Sequence, residues 1–150
     1  MTKYYTKWVF ANLIGQPTYT SLCDEPDWRL SYSPGVWVYP PVPESRLFIS
    51  QNVREAYNFL ESLERCHPVA PGLPQGMMLW WCVAQDVELP KQPIYRGLPA
   101  HLIAQFWEQY PRFDLPGRVY PLEVRHLLAS AVRLISIVTN EEVSRLLKDG

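Results

Sequence analysis

The chain has little of what usually announces a function. Its three cysteines, Cys23, Cys66 and Cys82, are odd in number and far apart, and no Cys-x-x-Cys occurs. That argues against a disulfide framework and against a structural zinc site, so no metal is expected. The three read as reduced thiols of a cytoplasmic protein. The seven glycines form no phosphate loop: "PGLPQG" (71–76) has no following Lys-Ser/Thr and no strand-to-helix context. A Rossmann fingerprint and the Gly-x-Ser-x-Gly elbow are missing too. No stretch approaches the ~20 apolar residues of a membrane span, and "MTKYYTKWVF" has no apolar run of the signal-peptide kind. Excess charge is also lacking. The net charge is −1, with 6 basic and 7 acidic side chains in residues 1–75 and 8 of each in 76–150. A protein that coats nucleic acid carries a clear basic excess; the interleaved "KYYTKW" (3–8) is the sole support for a nucleic-acid groove.

What is there suits one globular domain over residues 1–150. The apolar fraction is 47 %, enough in a chain of this length to build a core without staples. Fifteen prolines are about twice the usual ~5 % share and cut the chain into short elements. Six Trp, nine Tyr and five Phe, with ten Arg against four Lys, have two readings. They either fill the core of a loop-rich domain or arm an interface, where Trp, Tyr and Arg dominate binding energy.

Residues 2–12 are rich in aromatic and β-branched side chains and predict a first strand. Residues 15–35 carry Gly15, Pro17, Pro26, Pro34 and Gly35 and predict loop. "GVWVYP" (35–40) predicts a short strand at an edge, stopped by proline. Arg46 to Ser50 follow as a strand. Asn52 and Glu55 then make a capping-box start for a helix whose apolar face is Val53, Ala56, Tyr57, Leu60 and Leu63, ending near Cys66 before Pro68. "MMLWWCVAQDVEL" (77–89) predicts a central, doubly covered strand. Pro99 suits a first helical position, and Leu102, Ile103, Phe106, Trp107 and Tyr110 line one face of the helix behind it. Residues 119–138 predict two strands joined at Ala129-Ser130, because Val132, Ile135, Ile137 and Val138 are β-branched; one helix over 122–138 is the alternative. Thr139 and Glu142 make a second capping box for a closing helix. Strands and helices do not alternate regularly, so the expected class is α+β, a mostly antiparallel sheet with two or three short helices.

Few side chains announce chemistry. His67, His101 and His126 have no second ligand at a metal spacing, and His126 stands as a general-base candidate without a visible partner. Cys82 falls within an apolar strand, where a thiol is inert. Asp86 and Glu88 are two apart on the predicted strand and share a face; buried together they would raise one pKa, and beside Pro90 they read as solvated.

"LFISQNVREAYNFL" (47–60) joins a strand ending in Ser50 to a helix with an early alanine, Ala56. "YPLEVRHLLASAVRLISIV" (120–138) carries Glu123 in a strand, a turn, and a final strand. Together they resemble ADP-ribosyltransferase-like domains in element order over residues 1–138. The resemblance implies an NAD-binding cleft. Glu123 would hold the nicotinamide-ribose hydroxyl and stabilise an oxocarbenium-like transition state, and Ser50 would line the nicotinamide cleft. Lys7 would stand on the first strand, where such domains carry an Arg or His, and help hold a phosphate. The paired Glu-x-Glu of many transferases reads Pro121-x-Glu123 here. With that change and Lys7 on the first strand, transfer would be reduced or lost, and the fold would serve as a binding module. The alternative function is non-enzymatic, a protein-interaction module presenting Trp107, Tyr110, Arg112 and Arg118.

Overall fold

The computed structural model describes residues 2–13, 15–22, 25–66, 76–96, 98–115 and 122–148, with the backbone alone at 26, 62–66, 96 and 122–124. Its elements are β1 (Tyr5–Asn12), β2 (Thr18–Thr20), a 3-10 turn (Pro26–Trp28), β3 (Ser31–Tyr32), β4 (Leu47–Ile49), α1 (Val53–Cys66), β5 (Met77–Gln85), β6 (Ile94–Arg96), α2 (Ala100–Gln109), β7 (Leu122–Val124), β8 (Leu127–Ala129), β9 (Ala131–Ile137) and α3 (Asn140–Lys148). Every strand pair is antiparallel. The fold is α+β, as the irregular order of elements predicts. Among the described residues no helix is long and apolar enough to cross a membrane.

A five-stranded sheet ordered β3-β2-β1-β5-β9 forms the centre, with two-stranded ribbons β4-β8 and β6-β7 beside it. Both faces of the large sheet are covered, so β1 and β5 are buried or half-buried along nearly their whole length rather than at alternate residues. On one face Trp8 and Leu79 pack with Val53, Ala56, Phe59 and Leu60 of α1. On the other, Tyr5, Val9 and Trp80 meet Tyr32, Leu47 and Ile49. A third cluster joins Phe106 and Trp107 of α2 to Ile94 and Leu128, with Phe48 packed against it. Leu47 and Ile49 thus look toward the large sheet while Phe48 looks toward α2, as the two-residue period of a strand requires.

The caps fall where the sequence puts them. The Glu55 N–H donates to Asn52 Oδ1 at 2.9 Å. The Glu142 N–H donates to Thr139 Oγ1 and the Thr139 N–H to Glu142 Oε1, each at 3.1 Å, a reciprocal capping box. Residues 122–138 are three strands and no helix. The break at Ser130 is as expected; a second, at Arg125-His126, is not, and His126 therefore sits between β7 and β8 instead of within a strand.

Other expectations need correction. Residues 35–40 supply only a bridge, Val38 to Val132, because Pro34, Pro40 and Pro41 leave too few donors for a ladder. Residues 15–35 contain β2 and β3, three and two residues long, too short to give a period. Ile94–Arg96, lying between Pro93 and Pro99, is β6. Pro99 is the N-cap of α2, extended at ψ 158°, rather than its first residue. The strand 77–89 ends at Gln85, since Asp86 takes φ +50°. That turn separates Asp86 from Glu88, whose N–H and C=O pair with Leu128 instead. The two carboxylates do not share a strand face.

Candidate functional site

One edge of β1 is divided between two partners. At its far end, Phe10–Asn12 pair with β2. At its near end, Thr6 forms an isolated antiparallel bridge with Ser50, the residue that follows β4. Both bridge bonds are short: Thr6 N–H to Ser50 O is 3.0 Å and Ser50 N–H to Thr6 O is 2.8 Å. The Thr6 hydroxyl also donates to Asn52 O at 2.9 Å, which ties β1 to the first turn of α1. Neither β2 nor Ser50 pairs with Lys7–Val9 on that edge. Two strands leaving a common neighbour in different directions open a wedge, and side chains must fill it or leave a cavity.

They leave a cavity of about 280 Å³, near the lower end of the ~300–1,000 Å³ of small-molecule pockets. Its walls are largely aromatic: Trp8, Trp28, Phe48, Phe106 and Trp107 all line it. Phe48 and Trp107 stack at 5.9 Å, and Phe106 meets Trp107 edge-on at 4.9 Å. Lys7, Tyr32, Ser50 and His126 are among the polar residues on its surface, with Arg46 and Glu25.

Lys7 is the unusual member. It alternates with Tyr5 and Val9 on a buried face of β1 and is only 8 % exposed. Its Nζ donates to Phe48 O at 2.6 Å and lies 5.2 Å from the centre of the Tyr32 ring. Among the described residues no carboxylate pairs with it. Loss of hydration pulls its pKa down from 10.5 to about 8; the Cys82 thiol acts the other way. Cys82 is itself pushed up to about 12, chiefly by burial, so at neutral pH it is an uncharged thiol, inert as its strand position predicts, and Lys7 is a buried cation without a counter-ion. Tyr32 is 3 % exposed and its buried hydroxyl has no hydrogen-bond partner among the described residues. Burial raises its pKa well above the usual phenol range.

Ser50 and Lys7, singled out from sequence, therefore open onto the same cavity from segments more than forty residues apart. Glu123 stands on β7 with its backbone in register with Tyr95 of β6, and Tyr95 lines the cavity; the Glu123 side chain lies outside the described residues. So do Pro121, Cys23, His67, Arg118 and the Cys66 side chain. His126 meets the Phe59 ring edge-on at 4.6 Å, and His101 is exposed on α2. Trp107 is not a surface contact: it is 5 % exposed, because the apolar face of α2 turns inward. Tyr110 is half-buried, and its hydroxyl accepts from the Lys91 N–H at 2.8 Å; Arg112 is exposed. No tryptophan in the chain is exposed, so the aromatic excess goes chiefly into core and cavity wall. Sequence reasoning missed Tyr32. It sits in a two-residue strand before Ser33-Pro34, and nothing local distinguishes it from a loop tyrosine. Among the described residues no three His, Cys, Asp or Glu side chains gather as metal ligands. No family model, curated protein or solved structure matches the chain.

Proposed function

We propose that this chain is an NAD-binding domain of the ADP-ribosyltransferase-like kind. The nicotinamide-ribose end of the cofactor would enter the wedge between β1 and the β4–α1 joint. The observation that carries the reading is the Thr6–Ser50 bridge, which sets Ser50 beside the strand that bears Lys7, both lining one aromatic-walled cavity.

The residues present fit part of NAD and constrain how it lies. A cavity of about 280 Å³ takes the nicotinamide and its ribose and leaves the adenosine half outside. The aromatic walls offer stacking for the ring. Lys7 does not suit the pyridinium, since a buried ammonium repels a second cation; it suits one charge of the pyrophosphate, with half-buried Arg46 nearer the rim as a second. Ser50 lines the cavity, and the resemblance assigns the ribose hydroxyl to Glu123, whose backbone is in register with cavity-lining Tyr95. NAD brings a glycosidic bond whose cleavage releases neutral nicotinamide; the chain's part is to orient the ribose, exclude water and place negative charge near the developing oxocarbenium.

Thermal melts with and without 10 mM NAD test this. A dissociation constant near ~1 mM would stabilise the fold by about 1.4 kcal/mol and raise the melting temperature by about 3–6 °C. Nicotinamide release, followed by chromatography, should be lost in Glu123→Gln while the melt shift remains. No melt shift at 10 mM NAD, together with no nicotinamide release, overturns the reading.

A further inference from the structure

The cavity has a polar corner that the aromatic walls do not explain. Lys7 and Tyr32 meet there, from β1 and β3, with the ammonium 5.2 Å from the phenol ring's centre. An ammonium has three donors. One of Lys7's meets the Phe48 carbonyl, and its other close neighbour is the ring face. The Tyr32 hydroxyl has no hydrogen-bond partner among the described residues. Burying a cation without a counter-ion and a hydroxyl without a hydrogen bond is unfavourable on both counts. Both residues line the same cavity, and one ligand group reaching both would remove both penalties: a singly charged anion with two acceptor oxygens.

We propose that this cavity binds an aromatic monocarboxylate, its carboxylate received by Lys7 Nζ and Tyr32 Oη and its ring system held among Phe48, Phe106 and Trp107. The charge count favours a monoanion, because Lys7 is the buried cation on the lining, while half-buried Arg46 is already engaged by the Pro43 and Ser45 carbonyls and shares the lining with Glu25. The wall chemistry favours a flat, apolar body. The volume limits that body to about one or two fused rings. Glu25, the carboxylate on the lining, disfavours a second acidic group on the ligand. This inference goes beyond NAD binding and holds whether or not NAD is a ligand.

The test is isothermal titration of the whole chain with 2-naphthoate and with its neutral isostere 2-naphthamide. The expected result is binding of the acid about tenfold or more tighter than the amide, the difference set by charge-assisted hydrogen bonds. Lys7→Met should erase that difference. Tyr32→Phe, which keeps the ring, should weaken the acid several-fold and the neutral amide, whose carbonyl accepts from the same hydroxyl, by less. Affinity for the acid should also fall as pH rises above about 8, where the free protein's Lys7 loses its proton. Equal binding of acid and amide to the wild-type chain, or binding of neither, overturns the inference without recourse to any variant. Naphthoate binding without any response to NAD leaves this inference standing and removes the cofactor reading; the reverse pattern does the opposite.

Discussion

Replacing Lys7 by methionine keeps most of the side chain's length and removes its charge, and the consequence depends on pH in a way the structure fixes. In the folded chain the ammonium has a pKa of about 8, against 10.5 when solvated. A shift of that size corresponds to about 3 kcal/mol of destabilisation whenever the group is charged. Between those two values the unfolded chain holds a proton that the folded chain has released. Stability therefore rises with pH across that window, the reverse of an ordinary paired lysine. Cys82 works against it. Its folded pKa is about 12, against 9.0 unfolded, so the folded chain keeps a proton that the unfolded chain gives up, and stability falls from pH 9 upward. Added together, the two groups give a gain of about 1 kcal/mol between pH 7 and pH 9, which levels off toward pH 9.5 and turns to a decline only above it. The Lys7→Met chain lacks the rising limb and keeps the decline. At pH 7 the substitution is near neutral, because relief of the buried charge offsets the lost bond to Phe48 O. Urea unfolding under reducing conditions, in steps from pH 6.5 to 9.5, measures both chains. The difference curve cancels the other titrating groups apart from Cys82, whose burial-raised pKa the Lys7 charge itself lowers. If the two proteins keep a constant stability difference over that range, Lys7 is not a desolvated cation, and the electrostatic account of the cavity fails with it.

Other expectations follow from single contacts. Thr139→Ala removes the capping box of α3 and should cost about 1 kcal/mol in urea unfolding. The Thr139 N–H, above all, holds the Glu142 carboxyl below its usual range, with the Trp81 indole and Arg145 adding to it. Glu142→Gln should therefore destabilise at pH 7 and lose its effect as pH falls through that carboxyl's folded pKa. Phe106→Ala deletes a 3 % exposed ring from the cavity wall and should cost about 3–5 kcal/mol, with a lowered melting temperature. Gly76→Ala puts a Cβ 3.0 Å from the Ala11 carbonyl at φ +86° and should destabilise by about 1 kcal/mol or more.

How much of this could be read beforehand depends on how local the cause is. Asn52 and Glu55, or Thr139 and Glu142, act over one helical turn, and their spacing alone places two helix starts. Met77–Gln85 carries enough apolar residues to be a buried strand in any context. The wedge is different. It exists because β1 shares one edge between β2 and Ser50, a pairing across 44 residues that no window of sequence contains. Lys7 was legible as a candidate only through its place on the first strand. Its burial was not, because β1 is covered on both faces and offers no alternation to contradict. Trp107 was misjudged for the related reason that an amphipathic helix reveals which face is apolar but not that the whole face lies against β4 and β6.

The most direct measurement is an amide shift map in uniformly labelled protein titrated with NAD. The account predicts that the largest displacements fall on Lys7, Tyr32, Phe48, Ser50 and Tyr95, all around the wedge, and that they saturate together. Displacements gathered on α3 and the outer edge of β9, or none at 10 mM NAD, would contradict it.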